Sequence, residues 1–290
     1  MDKAVFLCAG GDLRQVYMCE KLCAFGKVYE LGIDGAVGAE VLSSTEDMPE
    51  MADVLVLPLL SCGDSIDIGG EKVRLESLVS LVKTGGLVLG GRISAEQEKL
   101  FSQMGLQIED YFKRESLAVK NSIPTAEGAL MIAMVNSADT VFGSDVLVIG
   151  FGRTGKCCAR LFKAAGAECS VAARRPEVLA QAWSEGFDSF PLIELAENIG
   201  RFDTIINTVP AMVLTEDVLA SVKTGCTVID LASKPGGTDF AAAKRLEINA
   251  IHALALPGKA APAAAGRMIA ETIREITDER GITNCQQKTN

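Results

Sequence analysis

Short apolar runs alternate with stretches of helical spacing along most of this chain. Val5–Cys8, Lys27–Leu31, Asp53–Pro58 and Leu87–Gly90 read as strands. Between them, Arg14–Phe25, Glu76–Val82 and Glu96–Met104 carry apolar residues at helical spacing, with Gly26 and Gly105 as stops and a turn at Thr84–Gly85. The rhythm resumes near Val141. Asp145–Ile149, Glu168–Ala173, Thr204–Asn207, Thr227–Asp230 and Ala250–Ala253 read as strands there. Ser122–Glu127, with Pro124 and Thr125 near its start, predicts a helix running to about Asn136 that joins the two halves. Repeated βα units predict parallel sheets covered on both faces. The expected fold is therefore α/β, with two Rossmann-like doubly wound domains joined by a helix and a cleft between them. The first spans 1–120 and the second 121–262, with the helix 263–278 a candidate to pack back on the first. The polar tail Gly281–Asn290 is expected to fray.

Composition narrows the function. The chain has 290 residues, 48% of them hydrophobic, which suits two sizeable cores. A net charge of -10 argues against nucleic-acid binding, which needs a basic face. No apolar run reaches the length of a membrane span. Met1–Leu7 runs straight into a strand, predicting no signal peptide and a cytoplasmic protein. Nine cysteines (Cys8, Cys19, Cys23, Cys62, Cys157, Cys158, Cys169, Cys226 and Cys285) form no CxxC pair and read as small, buried and reduced. No metal site is expected. The single histidine, His252, lies in an apolar run and reads as a core or edge residue.

Gly150-Phe151-Gly152-Arg153-Thr154-Gly155 follows the strand Asp145–Ile149 and opens onto the helical stretch Lys156–Gly166. Strand, glycine turn and helix in that order form the dinucleotide-binding fingerprint. Gly150 allows the tight turn, Gly152 lets a pyrophosphate approach the backbone, and Gly155 lets the helix pack close. The helix N-terminus adds free amides and partial positive charge. An NAD site would place Asp or Glu at the end of the next strand, to hold the ribose 2′-hydroxyl. This chain has Arg174-Arg175 there, which suits a 2′-phosphate and favours NADP over NAD.

Polar clusters fall at the carboxyl ends of strands, where ligands of open α/β sheets bind. Asn207-Thr208 suits a turn over the nicotinamide ribose, or is simply a strand ended by Pro210. Asp230 to Phe240, with Asp230, Ala232 and Lys234, suits a cofactor and carboxylate loop, or is a surface loop capped by Thr238 or Asp239. Asp12 is either a helix N-cap or a substrate-facing carboxylate, beside Arg14 and Gln15. Lys113, Arg114 and Asn121 precede the joining helix, on the side expected to face the cleft.

Gly10–Gln15, Asn121–Gly128, Gly150–Gly155, Asp230–Phe240, and Leu256-Pro257-Gly258 with Ala261-Pro262 together resemble the A subunits of dipicolinate synthase, over nearly the whole chain. The strings Asn121–Gly128 and Asp230–Phe240 are the most specific part of the resemblance. The layout is similar to that of the 2-hydroxyacid dehydrogenases. Four positions depart from the family pattern: Ala263-Ala264 stand for Lys-Thr, and Lys259 and His252 for apolar residues.

The resemblance implies conversion of 4-hydroxy-tetrahydrodipicolinate to dipicolinate, with NADP as hydride acceptor and loss of water. It implies sporulation, the mother-cell cytoplasm, and the flavoprotein-like B subunit of dipicolinate synthase as partner; a homo-oligomer stays open. A small dicarboxylate calls for cations, so Arg14, Arg114 and Lys234 are the expected clamp, with Gln15, Asn121 and Thr125 as further substrate contacts. Asp12 and Glu127 are the candidates for acid and base, grouped with Lys234 as catalytic. Two other readings remain: an NADP-binding subunit that only activates a partner, and another NADP-dependent enzyme of 2-hydroxyacid dehydrogenase type.

Overall fold

The computed structural model describes residues 3–33, 35–60 and 63–283. The expectations for Cys62, Cys285 and the tail from residue 284 onward lie outside them. The chain divides into two compact units. One comprises residues up to Asn121 with the segment from Ala261 onward; the other is Ser122–Ala260.

The first unit holds β1 (Ala4–Ala9), β2 (Gly26–Leu31), β3 (Glu40–Leu42), β4 (Ala52–Leu59), a hairpin β5 (Ser65–Ile68) and β6 (Glu71–Arg74), then β7 (Val82–Gly91) and β8 (Gln107–Asp110). Its sheet is parallel, in the order β3-β2-β1-β4-β7-β8. Both faces are covered. Val5, Leu7 and Ala9 enter one apolar cluster while Ala4, Phe6 and Cys8 enter another. Burial on both sides is why these strands read as unbroken apolar runs. Helices α1 (Leu13–Leu22), α2 (Leu75–Val79) and α3 (Ala95–Gln103) connect the strands. The last helix, Pro262–Glu279, packs Ile269, Ala270, Ile273 and Ile276 into the cluster that holds Met18 and Leu22 of α1. The approach is close: a Cβ on Gly266 would fall 2.3 Å from the Arg14 carbonyl oxygen.

The second unit repeats the plan. Its strands are β9 (Asp145–Ile149), β10 (Glu168–Ala173), β11 (Asp188–Pro191), β12 (Thr204–Asn207), β13 (Thr227–Asp230) and β14 (Asn249–His252). They form a parallel sheet in the order β11-β10-β9-β12-β13-β14. Along the chain, α4 (Glu115–Asn136) leads from the first unit into the second, where α5 (Arg153–Ala164) and α6 (Pro176–Ser184) follow. In each sheet the chain winds outward on one side of the first strand and then returns to its other side. That reversal, at β1/β4 and at β9/β12, is where such sheets bind ligands.

The structure corrects several expectations. The joining helix begins at Glu115, and Pro124 lies inside it. Proline removes one backbone bond there; the buried Leu117, Ala126, Ala129 and Ala133 on either side hold the helix through packing. The expected turn at Thr84–Gly85 lies within β7, which already starts at Val82. Strands β3, β5, β6, β8 and β11 have no counterpart in the apolar pattern. They are short and rich in charged or polar residues, and tertiary pairing forms them.

Candidate functional site

In the second unit the glycine turn lies at the β9/β12 reversal. Gly150 adopts φ +88°, and a Cβ there would meet Thr208 Oγ1 at 2.6 Å. A Cβ on Gly155 would meet the Gly150 carbonyl oxygen at 2.1 Å. The protein's own packing therefore requires both glycines. Gly152 differs. Its φ of -79° and ψ of -164° suit any residue, and a Cβ would meet nothing within 4 Å. It is the N-cap of α5 and gives no side-chain oxygen to the first-turn amides, which lack acceptors within the helix. Open space, uncapped amides and a helix N-terminus fit a dinucleotide pyrophosphate. Among the expected cofactor residues, Arg153 and Thr154 occupy that first turn. Phe151 does not offer its side chain. The ring is buried and packs edge-on against Phe187, with centroids 5.7 Å apart.

The strand ends beside this turn are locked by one carboxylate. Buried Asp230 accepts from Asn207 Nδ2 at 2.9 Å and the Ala232 amide at 2.9 Å through Oδ1, and from the Gly237 amide at 2.8 Å through Oδ2. Asn207 Oδ1 in turn accepts from the Val209 amide at 3.1 Å. Thr208 Oγ1 donates to the Ile149 carbonyl at 2.9 Å. Asn207 and Asp230 thus shape the turns that follow β12 and β13, and both side chains are consumed in doing so. His252 sits opposite Asp230 on edge strand β14, its Nε2 3.2 Å from the Ala232 carbonyl and its ring stacked on Phe240 at 5.1 Å. The chain's one histidine therefore braces the same loop.

Four expected cations or acids of this unit stand exposed. Arg174 directly follows β10 and makes no hydrogen bond or ion pair among the described residues; Arg175 lies 3.3 Å from Glu177. Lys234, in the loop after β13, and Glu127, on α4, are exposed and likewise unpaired among the described residues. Thr125 and Asn121 are half-buried on α4.

In the first unit a cavity of about 330 Å³ lies at the β1/β4 reversal, lined by Gly11, Asp12, Arg14, Gln15, Pro58, Leu59, Ile66 and Asp67. Asp12 is the N-cap of α1 in a capping box with Gln15, whose Oε1 accepts from the Asp12 amide at 2.9 Å. Arg14 Nε and Nη2 donate to Asp12 at 2.9 and 2.7 Å; Nη1 stays uncommitted among the described residues. These hydrogen bonds hold the Asp12 carboxyl below the usual carboxylate range. Asp12 orients Arg14, whose side chain is 11% exposed.

Arg114 does not join this cavity. Its guanidinium pairs with Glu109 and, bidentately, with Glu279 at 3.0 and 2.7 Å, while Arg280 Nη2 reaches Glu109 at 2.7 Å. The expected substrate clamp is occupied by carboxylates of its own unit, and it ties the last helix to β8. Arg114→Ala is expected to lower the stability of the first unit by about 1–2 kcal/mol in urea unfolding, as a partly exposed charge network should. Substrate KM should change less than about threefold, against tenfold or more for a lost charge-assisted contact. Among the described residues no His, Cys, Asp and Glu group could hold a metal ion, and no helix is long and apolar enough to cross a membrane. Cys8, Cys19, Cys158, Cys169 and Cys226 are buried, and burial pushes the Cys169 and Cys226 thiols up to about 12. Cys23 and Cys157 are half-buried.

Residues 5–112 match the model of the N-terminal domain of the dipicolinate synthase A subunit. The A subunit of dipicolinate synthase from Bacillus subtilis (strain 168) is 34% identical over 281 residues, 93% of this chain and 94% of that protein. The chain belongs to the family of dipicolinate synthase A subunits. The crystal structure of a family member from Bacillus halodurans superposes with a TM-score of 0.86 at 33% identity, covering 95% of this chain and 98% of that one. Residues 124–253 match the S-adenosyl-L-homocysteine hydrolase, NAD binding domain model, so the second unit carries a nicotinamide-dinucleotide-binding domain. Transhydrogenase from Sinorhizobium meliloti, with a TM-score of 0.73 at 19% identity over 97% of this chain and 95% of that one, shares the two-domain Rossmann-like fold. Of the family departures, Lys259 is exposed and Ala263-Ala264 are half-buried in the last helix.

Proposed function

We propose that this chain oxidises 4-hydroxy-tetrahydrodipicolinate to dipicolinate, with NADP⁺ as hydride acceptor, releasing NADPH, a proton and water. One observation carries the reading. The same strand order occurs twice, and each reversal is furnished for a ligand: a dinucleotide cradle in the second unit, an arginine-lined cavity in the first. The bound dinucleotide supplies hydride acceptance. Gly150, Gly152, Gly155 and the first turn of α5 hold its pyrophosphate, and the turns set by Asn207, Thr208, Asp230 and Ala232 receive its nicotinamide end. Arg14, oriented by Asp12, binds one substrate carboxylate, and Lys234 the other. Gln15 shapes the α1 end of that site; Asn121 and Thr125 add polar contacts, and Glu127 takes the proton. The family's name supports a place in dipicolinate synthesis within an enzyme of more than one subunit; sporulation, the mother-cell cytoplasm and the B subunit of dipicolinate synthase as partner belong to the proposal.

The exposed Arg174 at the end of β10, unpaired among the described residues, supports NADP rather than NAD. Calorimetric titration should show wild type preferring NADP. Arg174→Ala should weaken NADP by roughly 10–150-fold, the loss of about 1.5–3 kcal/mol from a charge-assisted contact, and leave NAD unchanged. Equal wild-type affinities for the two nucleotides overturn the assignment. The reaction is tested by mixing purified chain, NADP and freshly made substrate, with and without the partner subunit. NADPH formed without the partner shows that the chain itself is catalytic. Absence of NADPH even with the partner refutes the proposed reaction.

A further inference from the structure

The cavity of the first unit is roofed by the β5–β6 hairpin, and two glycines make room for it. A Cβ on Gly10, just after β1, would fall 2.9 Å from the Asp67 carbonyl oxygen; one on Gly32, just after β2, would fall 2.2 Å from Ile68 Cγ2. Strand alternation then fixes the side chains. Ile66 and Ile68 are buried in the core, and Asp67 between them is exposed and lines the cavity. Its Oδ1 accepts from the Gly70 amide at 3.1 Å, which squares the hairpin turn; its Oδ2 has no hydrogen bond among the described residues. The cavity is thus lined by a guanidinium and a carboxylate, Arg14 and Asp67, each with one atom, Nη1 and Oδ2, uncommitted among the described residues.

That pairing asks for a ligand carrying both an anion and a hydrogen-bond donor. On the reading above, the substrate ring has two carboxylates, an imine nitrogen without hydrogen, and one hydroxyl. The hydroxyl is its only donor. The aromatic product has lost it and has none.

We propose that Asp67 accepts a hydrogen bond from the 4-hydroxyl of the ring whose carboxylate Arg14 holds, and so makes this pocket select substrate over product. An aromatic dicarboxylate leaves Asp67 facing acceptors only, a like-charge juxtaposition that favours release. The inference rests on the proposed reaction for its ligand, and it adds a specificity residue that the sequence pattern did not reveal.

The test is calorimetric titration of the full chain, saturated with NADP, using cyclohexane-1,3-dicarboxylate with and without a 5-hydroxyl, a pair of rings in which that hydroxyl is the one hydrogen-bond donor. These rings differ only in the group assigned to Asp67. Wild type should bind the hydroxylated ring about tenfold or more tightly, as expected for a hydrogen bond to a charged group. Asp67→Ala should make the two affinities equal. Asp67→Asn keeps an acceptor for the Gly70 amide and should retain a preference of a few-fold, which separates the hydroxyl contact from any loosening of the hairpin. Arg14→Gln should weaken both rings alike. A wild type without preference, or Asp67→Ala with its preference intact, overturns the role of Asp67. If neither ring binds wild type, or Arg14→Gln binds both as before, the pocket is not the dicarboxylate site and the underlying reading fails with it.

Discussion

Asp230→Ala is expected to destabilise the second unit by about 4 kcal/mol and to lower NADP affinity more than tenfold. The substitution removes the acceptor for three buried donors at once: Asn207 Nδ2 and the amides of Ala232 and Gly237. Each buried donor left unsatisfied costs about 1–3 kcal/mol, and the sum is moderated by relaxation of the loop. The turns after β12 and β13 are held by this one side chain, so both should loosen together. Asp230→Asn is the informative companion. Its amide oxygen can still serve Asn207 and Ala232, but its NH2 faces the Gly237 amide, so about 1–3 kcal/mol should be lost. Urea unfolding and nucleotide titration on both variants check the pair. An Asp230→Ala protein as stable as wild type would mean that water replaces the carboxylate and that the loop is not built as described.

Gly155→Ala should be the second severe change. Alanine is the better helix former by about 1 kcal/mol, and Gly155 lies in the first turn of α5. Packing outweighs that preference. The new methyl would sit 2.1 Å from the Gly150 carbonyl oxygen and 3.3 Å from Thr208 Oγ1, and the first of these is backbone that cannot swing aside. Overpacking of this kind costs about 3 kcal/mol, and relief requires α5 to move off β9, which spreads the pyrophosphate cradle. Gly152→Ala should behave in the opposite way. Its backbone is unstrained and its Cβ would enter open space, so thermal stability should hold or rise slightly. NADP affinity should still fall, since the methyl takes space assigned to the ligand. Melting curves together with nucleotide titration separate the two glycines. A Gly152→Ala protein that binds NADP as tightly as wild type removes the cradle from that face of the turn.

Much of the candidate site was legible in residue order because its chemistry is local. The fingerprint Gly150–Gly155 works through consecutive backbone geometry, and Arg174 is placed by the end of the strand before it. The Asp12–Gln15 capping box likewise closes within four residues. Where residue order misled, at least one partner was distant in sequence. Arg114 looked like a free cation, and its carboxylates come from Glu109 and from Glu279 on the last helix. Phe151 sat inside the fingerprint, yet its ring belongs to a core completed by Phe187. Asn207 and Asp230 looked like ligand-facing polar groups and instead bind each other across neighbouring strands.

Residue order and composition were enough to set the two βα halves, the parallel sheets and the glycine turn after β9. Strands buried on both faces must be apolar throughout, and a phosphate cradle must be glycine-rich, so composition and spacing carry those features directly. Long-range packing set the hairpin β5–β6, the edge strands β3, β8 and β11, the passage of α4 through Pro124, and the arrival of Asp67 in the cavity that Arg14 lines. These segments are short or polar and have little intrinsic preference. They form because a sheet edge, a glycine gap or a packed helix face elsewhere in the chain offers them hydrogen bonds and apolar contact that no neighbouring residue can supply.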